Sequence, residues 1–246
     1  MRSRASIALP VLLAVSLAAG VAPAQDLSLA LGEDVSLTGL SLQLFAVVAL
    51  IGFAPGLLIM ATCFPFIVTV FSILRQAIGL QQSPPNMLII SVALVLTYYV
   101  MDPVFLEAWQ NGLQPFLRDE MPAETAVAEV FEPFRVFMMA RTDPETLASM
   151  ADLRAGTSAV VPSLADPPKS VLIPAFLLSE MSNAFQVGFL IFLPFLIIDL
   201  VVAAVLMSMG MMMVPPALVA LPFKLAFFAV ANGWTLISQS LVAGYF

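Results

Sequence analysis

The run "FLIFLPFLIIDLVVAAVLMSMGMMMVPP", residues 189–216, decides the fold: one charge, Asp199, stands in a stretch that is otherwise almost wholly apolar. It is longer than the roughly 20 residues that cross a bilayer as a helix, and Gly210 with Pro215-Pro216 weakens any helix at its far end. The apolar character extends outward over residues 171–246, where the charges are Glu180, Asp199 and Lys224. The whole chain of 246 residues is 61% hydrophobic and 10% charged, with a mean hydropathy of +1.03. Soluble domains are about half apolar, so this chain takes lipid as its main solvent. The expected fold is an all-α integral membrane protein of long, partly broken hydrophobic helices.

Composition removes most chemistry. Histidine is absent and Cys63 is the single cysteine, so a His/Cys metal cluster, a Ser-His-Asp triad and a Cys-His pair cannot be built from this chain. A nucleotide loop of the G-x-x-x-x-G-K type is also missing. A net charge of −7 with nine Lys and Arg does not suit a nucleic-acid partner. Neither an enzyme nor a cofactor is expected, although a carboxylate pair could still move protons.

The N-terminus reads as a leader. Arg2 and Arg4 precede an apolar run, residues 7–21, that ends in the small-x-small triplet Ala22-Pro23-Ala24. Cleavage is expected between Ala24 and Gln25, giving a signal peptide over 1–24 and a polar lead over 25–39. A retained transmembrane helix is the alternative. Residues 40–110 form a first hydrophobic region, with Pro55-Gly56 as a break and a polar turn near 75–86 around Arg75 and Pro84-Pro85. Two short spans or one long bent pair fit the uncharged run before Arg75 equally well.

Residues 111–170 carry nine acids and five bases and read as a water-facing, extracytoplasmic helical domain. Val127, Val130, Phe131, Phe134 and Met138 recur at helical spacing. Thr142 to Glu145, "TDPE", has a capping-box arrangement that starts a second helix. The C-terminal hydrophobic region then covers 171–246, and four hydrophobic units can be counted in all.

Charges are costly in a bilayer, on the order of 2.5–3.5 kcal/mol each at its centre on insertion scales. Glu180 falls on a polar stripe with Ser179, Ser182, Asn183 and Gln186. Three arrangements meet the cost: an ion pair of Glu180 with Lys224 within or between chains, a proton-carrying pair of Glu180 with Asp199, or separate local satisfaction of each. The five methionines Met207, Met209, Met211, Met212 and Met213 could not share one face of a regular helix. They either fill irregular gaps in the core or line a cavity.

This C-terminal run, with "LLSEMSNAFQVGF" before it and "LPFKLAFF" and "NGW" after it, closely resembles the FliP family of flagellar export-gate proteins, as does "LRQAIGLQQSPPN" at the first turn. The similarity spans essentially the whole chain after the leader and is least distinctive in the acidic middle. The chain departs from the family at "CFPF", residues 63–66, where many members carry a Ser-Phe-Thr-Arg-like run, so no role of that arginine is carried over.

The resemblance implies a core pore-forming subunit of the type III export apparatus, in the inner membrane at the flagellar basal body. Five copies would join FliQ and FliR, beside other export and basal-body ring proteins, and pass unfolded flagellar subunits. It further implies that residues 207–213 form a methionine gasket and that Glu180 and Lys224 form an intersubunit ion pair. Asp199 matches a family acid of unassigned role. The alternatives are the equivalent injectisome subunit, which generally lacks a leader, and a proton-coupled transporter, against which the absence of repeated halves speaks.

Overall fold

The computed structural model describes residues 59–80, 83–155 and 164–246, preceded by isolated helical positions 45, 48, 52 and 56. The expected leader over 1–24, the polar lead over 25–39 and most of the run before residue 59 lie outside the described residues. The chain divides into two units, Met1–Ala54 and Pro55–Phe246. In the first, Phe45, Val48 and Gly52 are described and each is helical; the helices α1 to α8 belong to the second.

Among the described residues every regular element is helical. Helix α1, Phe64–Ile78, starts with Pro65 in its first turn and stops at Gly79, whose φ of 89° places it in the left-handed region. It forms the centre of the core. Ile67, Val70, Phe71, Leu74 and Ala77 are wholly buried between the helices around it. The chain then turns through Pro84-Pro85, where the Arg75 guanidinium donates to Asn86 Oδ1.

Helix α2, Asn86–Ala108, runs through Pro103 into a π-helical turn, Trp109–Leu113, and a short α3, Gln114–Leu117. The π turn brings Gly112 against helix α4, Ala123–Arg141. A β-carbon there would lie 2.4 Å from Val130 Cγ2 and 2.7 Å from the Val130 backbone nitrogen, so only glycine permits this approach.

Two details of the middle segment differ from the sequence reading. Phe134 and Met138 are buried as the helical spacing requires, but Val127 is exposed, because the buried row steps by four through Ala126, the partly buried Val130, Phe134 and Met138. Helix α5, Pro144–Ala155, is capped by Asp143 rather than Thr142. Asp143 Oδ2 accepts hydrogen bonds of 2.8 Å from both the backbone N–H and the hydroxyl of Thr146. Thr142 instead donates back to the Met138 carbonyl at 2.7 Å, closing α4. Proline at the first helical position makes the residue just before it the cap, which moves the box by one.

Helix α6, Lys169–Ser208, is 40 residues long and passes through Pro174 and Pro194. It packs along α1, where Gly188 lets Ile73 come close, and α5 lies against its first turns through Leu147, Ala151, Val171 and Ala175. Helices α7, Pro216–Val230, and α8, Gly233–Ala243, are bent by 60° relative to each other at Ala231-Asn232. The expected all-helical membrane architecture with broken helices is therefore present.

Two continuous stretches, Asn86–Leu117 and Lys169–Ser208, are long and apolar enough to cross a membrane, and the bent α7–α8 pair makes a third if counted as one span. Both stretches overshoot. At 1.5 Å per residue α6 is roughly 60 Å long, about twice the hydrocarbon thickness of a bilayer. Yet Leu178, Phe185, Phe189, Leu190, Leu200 and Val205 are all exposed along it. These exposed apolar residues are spread over roughly 40 Å of the helix, more than lipid tails can cover if the helix stands upright.

Candidate functional site: two buried charge centres and a methionine loop

The three charges of the C-terminal region resolve into two separate centres. At the first, Glu180 is completely buried on α6. Its Oε1 accepts from Arg141 Nε at 3.3 Å, and its Oε2 accepts from the Tyr245 hydroxyl at 2.6 Å. The preceding residue, Ser179, accepts from the backbone N–H of Asp143 at 2.9 Å and donates to the Ala175 carbonyl. The α4–α5 corner, residues 141–143, is thus docked on two consecutive residues of α6. At this corner, the Thr146 donors hold the Asp143 carboxyl below the usual aspartate range.

At the second centre, Lys224 on α7 donates to Asp199 Oδ2 at 2.6 Å and to the Ala77 carbonyl at 3.0 Å. Ala77 belongs to the last turn of α1, where carbonyls have no helical partner and the dipole is negative, so the ammonium serves as a cap as well as a counterion. Lys224 is buried and joins α1, α6 and α7. The other Asp199 oxygen, Oδ1, has no hydrogen-bond partner among the described residues.

Within one chain Glu180 and Lys224 do not meet, and neither do Glu180 and Asp199: each carboxylate has its own base. Spacing on α6 placed Glu180 on a polar stripe, but nothing local pointed to Arg141 as its partner, 39 residues away in the acidic segment. Tyr245 was missed for the same reason. The polar face of the stripe is divided by depth, with Ser179 and Glu180 inside and Ser182 and Gln186 exposed. Asn183 and Gln186 line an open groove of about 650 Å³ between α6 and α8.

The methionine segment begins where α6 ends. The Gly210 N–H bonds to the Met207 carbonyl and the Met211 N–H to the Leu206 carbonyl, both at 3.0 Å, with Gly210 at a φ of 76°. This is a Schellman ending, and glycine, which has no β-carbon, is the residue it favours at the left-handed position. The chain then turns through Met212 and Met213 into Pro215, which precedes α7. All five methionines are exposed, from 43% at Met211 to 98% at Met213. None fills the core of this chain, contrary to the gap-filling alternative. A loop of soft thioethers projects from a helix hairpin instead, over an entirely apolar groove between α6 and α7 that Met209 and Met211 help to line.

Comparison with known proteins adds independent observations. A sequence model described as the FliP family matches residues 47–241. A flagellar biosynthetic protein FliP from Agrobacterium fabrum (strain C58) is 44% identical over 212 residues, 86% of each chain. The protein of that name from Caulobacter vibrioides is 42% identical over all of this chain and 92% of its own length. The one from Bacillus subtilis (strain 168) is 41% identical over 87% of this chain and 94% of its own. With paired charges, a glycine-closed methionine loop and a match over most of its length, this chain belongs to the FliP family.

Proposed function

We propose that the chain takes part in flagellar biosynthesis as a pore-forming subunit of the flagellar type III protein export apparatus. Several copies, five by the resemblance, surround a conduit together with FliQ and FliR, and unfolded flagellar subunits pass through it. The observation that carries this reading is the methionine loop, with five exposed thioethers at the tip of an α6–α7 hairpin. In lipid such a loop would leave irregular backbone without partners, so it belongs against protein or a water-filled cavity. Flexible thioethers can part around a polypeptide of any composition and close again, and an empty apolar constriction resists wetting.

The length of α6 supports assembly. Its exposed apolar residues span more than the thickness of a bilayer, and sister chains or partner subunits are the natural cover for the remainder. In the same reading the leader 1–24 is removed, the acidic segment 111–170 faces the periplasm and the chain resides in the inner membrane. A proton-relay transporter is not favoured, because Glu180 and Asp199 are each paired with a base rather than with one another.

The test is conductance. Replacing Met209, Met211 and Met212 with alanine increases ion leak through assembled complexes while sparing assembly; unchanged leak in an intact complex contradicts the gasket. We also propose the intersubunit pair of Glu180 with Lys224. It requires both groups to exchange their in-chain partners for a neighbour's. Swapping the two residues then restores assembly better than either single reversal does, and a swap no better than the singles overturns the pair.

A further inference from the structure

The segment after α8 is held by several elements at once. Tyr245 is in contact with three other elements at once. Its hydroxyl donates to Glu180 on α6 at 2.6 Å. Its ring stacks on Phe137 of α4 with centroids 6.1 Å apart and meets Phe66 of α1 edge-on at 5.8 Å. The Arg141 guanidinium lies 4.3 Å over the same ring and donates to the Gly244 carbonyl at 3.1 Å as well as to Glu180. The next residue, Phe246, packs edge-on against Tyr99 of α2.

We propose that Tyr245 is a positioning residue. With Arg141 it latches onto the buried Glu180 and locks the far end of the α7–α8 arm to the α4–α5 corner and to α6. A fully buried carboxylate is tolerable only with its oxygens hydrogen-bonded, and here its two ligands come from two distant parts of the chain. Neither alone satisfies both oxygens. Closing the latch therefore requires the middle segment and the end of the α7–α8 arm to be seated together, which makes it a check on correct folding of the subunit. The inference concerns the single chain and stands whether or not the methionine loop lines a conduit.

Cys63 supplies a native reporter. It is fully buried and lies one turn before Phe66, the ring against which Tyr245 packs. The rate at which an uncharged maleimide labels Cys63 in the full-length chain in detergent reads the opening of this region. Tyr245→Phe keeps the ring and removes the hydroxyl. Loss of a hydrogen bond to a charged group is worth on the order of ten- to a hundredfold in an opening equilibrium, and labelling of Tyr245→Phe accelerates within that range.

In a Glu180→Gln background the same substitution has a smaller effect, no more than about tenfold, because the acceptor is then neutral. Protection unchanged in Tyr245→Phe overturns the latch. So does an equal acceleration in both backgrounds, because the contribution of the hydroxyl would then not depend on the Glu180 carboxylate. If Tyr245→Phe yields no folded chain, the Glu180→Gln/Tyr245→Phe double variant recovers it, and failure to recover likewise overturns the latch.

Discussion

Lys224 shows how a charge persists in so apolar a chain. Its ammonium donates to a carboxylate and to the open carbonyl end of α1, so it contributes through geometry that a neutral side chain of similar length does not supply. Lys224→Met leaves Asp199 without its counterion in a largely apolar setting and costs about 3–5 kcal/mol. Adding Asp199→Leu removes the stranded charge and recovers most of the loss. Thermal unfolding of the full-length chain in detergent, compared across the two single variants and the double, measures the coupling; additive losses would refute the pairing. The sequence identified Glu180, Asp199 and Lys224 as charges that need partners, because expense in lipid is a property of each residue. It could not assign the partners, because Arg141 and Tyr245 reach Glu180 only after α4, α6 and the segment after α8 have packed together.

Among the elements, helix existence was legible and helix ends were less so. Long apolar runs dictate α2 and α6, and the glycine in the methionine run dictates where α6 stops, since Gly210 alone relieves the strain of a φ of 76°. The cap of α5 was read one residue early, because Thr142 and Asp143 are both good capping types and only the position of Pro144 within the helix separates them. The π turn left no periodic signature at all. Its role is visible in Gly112, which faces the backbone of Val130 as well as its Cγ2 methyl, so a β-carbon there cannot be accommodated by a side-chain shift alone. Gly112→Ala therefore forces α4 away from the π turn at a cost of roughly 1–3 kcal/mol or more. Hydrogen exchange on α4 reports it: faster exchange across residues 126–138 is expected, and exchange equal to the parent chain would show that the approach is not constrained.

At the scale of the molecule, membrane class followed from composition and the C-terminal architecture from a single run of 28 residues, residues 189–216. The number of lipid-crossing segments did not, because α6 and the α2–α3 stretch are longer than a bilayer needs while α1 is shorter than one. Hydropathy reports how apolar a helix is and is silent on whether lipid or protein covers it. A 40-residue apolar helix, two internally paired charge centres and an outward methionine loop are features that the proposed assembly with neighbours would complete.

The central claim is that methionine loops from several copies converge on one conduit. Crosslinking tests it most directly. In a Cys63→Ala background, Met212→Cys places one thiol at the tip of the loop, and a short bifunctional thiol reagent is applied to assembled complexes in native membranes. Chain-to-chain crosslinks through residue 212 are the expected result. An intact assembly in which that thiol never links two chains, and reacts only with a lipid-soluble reagent, would contradict the claim.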